Sequence, residues 1–153
     1  MADAKRACDF RVSEYLFKLS AEGVRVFSNS VYRHASLGEV INVRADRAGK
    51  LAESYETEDL EAHLRIIPAD GDIELSIEIL ETSADFIDAA IPSLEQALGK
   101  SVRFIEVMSL MLFDFIAERN TTEVLTKLGM SIQEASEYRI ALKRRDSNVI
   151  PFR

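Results

Sequence analysis

The sequence predicts an α+β fold, mainly helical, with an N-terminal helix, short strands that include a β-hairpin, and a C-terminal helical bundle forming a dimer core. Three observations predict it. Apolar residues recur at three- and four-residue intervals along most of the chain, which is the mark of helices with one buried face. Short segments within 39–44 and 63–79 alternate apolar and polar residues instead, the period of half-buried strands. The composition, 47% hydrophobic and 29% charged over 153 residues, supports a core of ordinary size and excludes a wholly disordered, collagen-like or disulfide-framework chain.

Taken in order, Asp9 to Val31 reads as helical, because Val12, Leu16, Leu19, Val24, Phe27 and Val31 approximate helical spacing. Gly38 breaks that pattern. Glu39 to Arg44 alternates and is rich in β-branched residues, so it reads as a short strand, and Asp46 to Tyr55 as a short helix. His63 to Ile67 and Ile73 to Ile79 read as two strands of a hairpin, with the turn at Pro68 to Asp72. The second strand would bury Ile73, Leu75, Ile77 and Ile79 and expose Glu74, Ser76 and Glu78. Ser83 to Leu98 is helical, with Phe86, Ile87, Ala90, Ile91, Leu94 and Leu98 on one side; Pro92 either kinks it or starts a new helix, and Gly99 terminates it.

Val102 to Glu118 is apolar around most of its circumference, interrupted by Arg103, Glu106, Ser109, Asp114 and Glu118. Such a helix is central to a domain or forms half of a subunit interface, and the shortage of other helices to wrap it favours a homodimer. Asn120 to Glu123 caps a further helix ending near Gly129, and Ser131 to Glu134 opens a last helix running to about Arg145. One compact domain is expected over 1–146, with a flexible tail at 147–153.

The formal charge is −7, unevenly spread. Residues 1–51 carry net +3, 52–95 net −12, 96–136 net −1 and 137–153 net +3. The acidic block is a solvated surface that maintains solubility, a docking face for a basic partner, or a repulsive face that confines nucleic acid to another side. With a single cysteine, Cys8, and no signal-peptide pattern or run of ~20 apolar residues, the expected setting is cytoplasmic, without a membrane.

Nothing in the residues marks a catalytic centre, a metal site or a cofactor site. The two histidines, His34 and His63, lack metal-ligand spacing, and the six glycines never cluster as a phosphate cradle. His63 reads as a structural histidine and Cys8 as an unactivated thiol. His34, with Arg33 and Ser28 to Ser30, makes either an anion contact or an ordinary helix end.

Strand Ile73 to Ile79, helix Ser83 to Leu98, the turn Gly99-Lys100-Ser101 and the apolar helix follow one another within about fifty residues. The succession resembles the ribbon-helix-helix DNA-binding proteins of the Arc and CopG type, over about a third of the chain. The resemblance implies a two-chain ribbon in the major groove, a helical dimer core, and a phosphate held at Gly99, Lys100 and Ser101. Glu74, Ser76 and Glu78 depart from it, since outward carboxylates repel phosphate. Val40 to Arg44 offers a chemically better ribbon, with Asn42 and Arg44 suited to base contacts and Arg47 close behind, but lacks the second helix.

Thr122 to Arg145 reads either as a helix-turn-helix about Gly129 or as a plain helical hairpin, with Lys143, Arg144 and Arg145 at its end. Two functions follow as expectations. The first is a small non-enzymatic DNA-binding regulator acting as a homodimer through Asn42, Arg44, Arg47, Lys100, Ser101, Lys143, Arg144 and Arg145. The second is an acidic adaptor or antagonist that binds another protein through the 63–79 hairpin.

Overall fold

The computed structural model describes residues 4–117. The expected helices over 122–145, the cations Lys143, Arg144 and Arg145, and the tail at 147–153 lie outside the described residues. Within them the order is β1 (Lys5–Val12), α1 (Glu14–Val31), α2 (Leu37–Arg44), a 3-10 helix (Ala45–Lys50), α3 (Leu51–Ser54), α4 (Thr57–Ile66), β2 (Ile73–Leu80), α5 (Glu81–Leu98) and α6 (Phe104–Ala117). The α+β, mainly helical class is met.

The strands form a two-stranded antiparallel sheet, with Lys5 opposite Leu80, Cys8 opposite Ile77 and Val12 opposite Ile73. The first expectation to be corrected is the helix at Asp9 to Val31. Its opening residues belong to β1, where Arg6, Cys8, Phe10 and Val12 turn inward and Lys5, Ala7, Asp9 and Arg11 outward. Ser13 ends the strand and starts α1: its hydroxyl accepts the Leu16 amide at 3.0 Å and donates to the Pro68 carbonyl at 2.6 Å.

The strand expected at Glu39 to Arg44 is instead α2. Ser36 and Glu39 form a reciprocal capping box, and this local start signal outweighs the weak strand preference of Val40, Ile41 and Val43. Gly38 sits where α2 meets β2, and a Cβ there would lie 2.3 Å from the Glu78 carbonyl oxygen. Any side chain would force the helix off the sheet.

The 63–79 hairpin is likewise absent, because His63 to Ile66 end α4. Leu60, His63, Leu64 and Ile67 are buried at helical intervals, a period that the apparent alternation of 63–67 conceals. Residues 67–72 then lead into β2, which has the expected faces: Leu75, Ile77 and Ile79 are buried and Glu74, Ser76 and Glu78 exposed. It pairs with β1, not with its neighbour in sequence.

α5 runs unbroken through Pro92 and stops at Gly99, which takes the left-handed conformation (φ 70°) and donates its amide to the Glu95 carbonyl. Phe86, expected on its apolar side, is exposed. α6 is the axis of the core. It packs against α1, α2, the 3-10 helix, α4 and α5 of its own chain, and its residues from Val107 to Phe113 are all buried. The wrapping for which a second subunit was expected is supplied within the chain.

Removing the Ser36 hydroxyl by Ser36→Ala should cost about 1 kcal/mol of stability in urea denaturation. A loss of less than a few tenths would mean that Glu39 and the Gly38 contact hold the start of α2 unaided.

Candidate functional site

An apolar helix at the centre of a domain must satisfy each polar side chain it carries, since an unmet buried group costs on the order of 1–3 kcal/mol. On α6, Glu106 accepts the Arg103 amide at 2.9 Å, at the helix start. Ser109, fully buried, lies 2.7 Å from His63 Nε2. Asp114 accepts from Arg44 Nη2 at 3.0 Å with one oxygen and from the Tyr55 hydroxyl with the other. Arg44 also lies over the Phe115 ring, 5.4 Å from its centroid.

The Asp114 carboxylate therefore ties α6 to the last residue of α2 and to the residue following α3. Beside it opens a cleft of ≈ 290 Å³ lined by Arg47, Lys50, Leu51, Ser54 and Asp114. Its rim follows from the 3-10 helix, in which residues three apart line up. Ala45 and Ala48, with Leu51 beyond, form the buried row. Arg44, Arg47 and Lys50 form another row: Arg44 is buried against Asp114, while Arg47 and Lys50 are exposed.

A second, much smaller slot of ≈ 10 Å³ lies next to the first, between Tyr55, Asp59, His63, Phe113 and Asp114 among others. Burial pushes the His63 imidazole down to about 3, so it is neutral; the ring packs tilted against Phe113, with centroids 5.1 Å apart. Cys8 lies on the inner face of the sheet, and burial raises its thiol above the ordinary range. The thiol is thus not activated.

Of the residues expected to contact DNA, Asn42 lies on α2 and accepts the Leu80 amide at 3.0 Å. Arg44 is only 7% exposed and engaged by Asp114. The strand that was to present both to base edges does not exist. Arg47 lines the cleft. Lys100 and Ser101 are exposed on the turn after α5. The next two amides on that turn are already occupied: Val102 donates to Glu95 Oε2 at 3.0 Å and Arg103 to Glu106 Oε1.

Arg33 pairs with Glu39 at 2.7 Å, and Ser28 accepts the Ala35 amide at 3.0 Å, so these residues build the end of α1 and the entry to α2. Sequence reasoning missed Lys50, Ser54, Tyr55 and Asp114 as parts of one site. The three-residue spacing of Arg44, Arg47 and Lys50 was the available signal, and reading 39–44 as a strand obscured it.

Among the described residues, no group of three or more His, Cys, Asp or Glu side chains could hold a metal ion. Nor is any helix among them long and apolar enough to cross a membrane. A scan against protein-family models, a search of curated proteins and a search of solved structures each return no match. The site is accordingly described by its own chemistry: a cation-rimmed cleft over a committed carboxylate, suited to binding.

Asp114→Leu should destabilise the fold by about 3–5 kcal/mol, because the buried Arg44 charge would lose the Asp114 carboxylate. Adding Arg44→Met should restore most of that loss in chemical denaturation; no recovery would show that Asp114 acts through something other than Arg44.

The unfolded chain takes up a proton on His63 near pH 6.5, whereas the folded chain does so only at about 3. This contribution to stability is therefore complete above pH 6.5 and falls as pH drops towards 3, by up to about 1.4 kcal/mol per pH unit. A titration of the His63 ring protons by NMR between pH 8 and 4 should show no inflection; a midpoint near 6.5 would refute it.

Proposed function

We propose that this chain is a non-enzymatic binding module whose folded body recognises a basic segment of another protein. The observation that carries the reading is the charge of that body. Residues 4–117 hold twelve lysines and arginines against twenty aspartates and glutamates, net −8. Many of the cations are committed to carboxylates. Arg6 reaches Glu81 and Asp88, Arg103 reaches Asp70, and Arg44 reaches Asp114.

Pairing is uneven across the acidic block. On the sheet, Lys5 lies 3.9 Å from Glu78 and Arg11 4.0 Å from Glu74, so the outer face that was to dock a partner is nearly balanced. On α4, Glu58 and Glu61 are exposed one turn apart. A surface of this sign speeds encounter with a cationic partner and disfavours phosphate backbones.

A second reading keeps the chain as a DNA-binding regulator acting as a homodimer. It rests on the exposed Lys100 and Ser101 and on the seven cations against six carboxylates outside residues 4–117, Lys143, Arg144 and Arg145 among them.

One experiment separates the two. An arginine-rich helical peptide should bind the full chain by fluorescence anisotropy, more weakly at 200 than at 50 mM salt. Glu58→Lys with Glu61→Lys should lower the affinity about tenfold or more, and Glu74→Lys with Glu78→Lys much less. Equal losses from both pairs would overturn the assignment to α4, and salt-dependent retention of duplex DNA with no peptide binding would favour the regulator.

A further inference from the structure

We infer that two copies of this chain associate through β1, the strands pairing antiparallel, edge to edge, about a twofold axis at Ala7. The inference is independent of the α4 surface and of the apolar helix α6. A two-stranded sheet has two outer edges, and each carries a row of backbone groups that can pair with a further strand. The edge of β2 is closed by its own chain. Asn42 on α2 accepts the Leu80 amide at 3.0 Å, and Gly38 lies against the Glu78 carbonyl.

The edge of β1 is open. The Glu81 amide donates to the Ala4 carbonyl at 2.9 Å, which puts the even-numbered residues of β1 in the bonded pairs with β2. Lys5, Ala7, Asp9 and Arg11 therefore aim their N–H and C=O groups away from β2. The Arg11 carbonyl is met by the Gly71 amide at 3.3 Å. Among the described residues, no backbone group of another element bonds to those of Lys5, Ala7 or Asp9. Burial agrees. On the inner face Leu75, Ile77 and Ile79 of β2 are buried, whereas their partners Phe10, Cys8 and Arg6 are only part-buried.

β1 lacks the devices that keep such an edge solitary: it has no proline or glycine, and its register with β2 is regular, without a bulge. Its outward charges select one pairing. With Ala7 opposite Ala7, the exposed Lys5 of each copy faces the exposed Asp9 of the other, and Lys5, Ala7 and Asp9 all fall in bonded pairs. A shift of two residues one way sets Lys5 against Arg11; the other way loses both ion pairs. Ala7 is also the midpoint of the open stretch. The product is a four-stranded antiparallel sheet whose outer edges are the β2 strands already closed by α2.

Sedimentation velocity on the full chain between about 5 and 300 µM should show a monomer–dimer equilibrium. Ala7→Pro removes an outward amide and spares the bonds to β2, so it should abolish the dimer and leave the circular dichroism melting curve of dilute protein unchanged. Lys5→Glu or Asp9→Lys alone should weaken dimerisation about tenfold or more, and the two together should restore it to within about threefold. This charge exchange decides the matter even if Ala7→Pro melts early. Glu58→Lys with Glu61→Lys should leave the dimer intact, which separates this interface from the α4 surface.

A chain that stays monomeric throughout, a dimer that survives Ala7→Pro, or no recovery in the charge-exchanged variant would each overturn the proposal. So would a monomer that binds an uncharged valine–threonine strand peptide, because the edge would then serve a foreign strand.

Discussion

One carboxylate on an apolar helix, that of Asp114, orders the architecture around it. Hydrophobic burial is non-directional, so a helix as apolar as α6 gains about as much from one rotation about its axis as from another. Asp114 removes that freedom, because its carboxylate has to meet Arg44 and Tyr55. Ser109, bound to His63 on α4, fixes the helix in another direction. Isolated buried pairs of this kind add little net stability against a hydrophobic alternative. Here the pair fixes which way the core helix faces, and with it the position of the cleft.

Much of the helical framework was legible in local pattern. The strand at Ile73 to Ile79, the helix ending at Gly99 and the apolar helix after it are found where periodicity and terminator chemistry put them. The errors have a common cause. Val40, Ile41 and Val43 carry a strand preference of only a few tenths of a kcal/mol each, which a capping box at Ser36 and contacts with α1 and β2 override. At His63 to Ile67, four or five residues are too few to distinguish alternation from a helical turn. β1 was concealed because its partner lies some seventy residues away, and nothing local announces such a pairing.

The site was partly legible for the same reason. Arg44 and Arg47 stand out as cations in the sequence, and Asp114 as a carboxylate in an apolar run. Their association spans 70 residues between Arg44 and Asp114 and 59 between Tyr55 and Asp114. It becomes visible only once α6 is threaded through the core. The acidic block at 52–95 divides in the same way: in the sheet Glu78 and Glu74 meet lysine and arginine from β1, and on α4 Glu58 and Glu61 face solvent while Asp59 is buried.

The sheet carries a further consequence, for biogenesis. β1 leaves the ribosome well before its hydrogen-bonding mate β2, which ends at Leu80. Until that stretch has emerged, Phe10 and Val12 have no strand to lie against. Long-range closure of this sort slows folding relative to local helix formation. During synthesis β1 therefore waits as an uncommitted sticky edge, the stage at which a holding chaperone matters most.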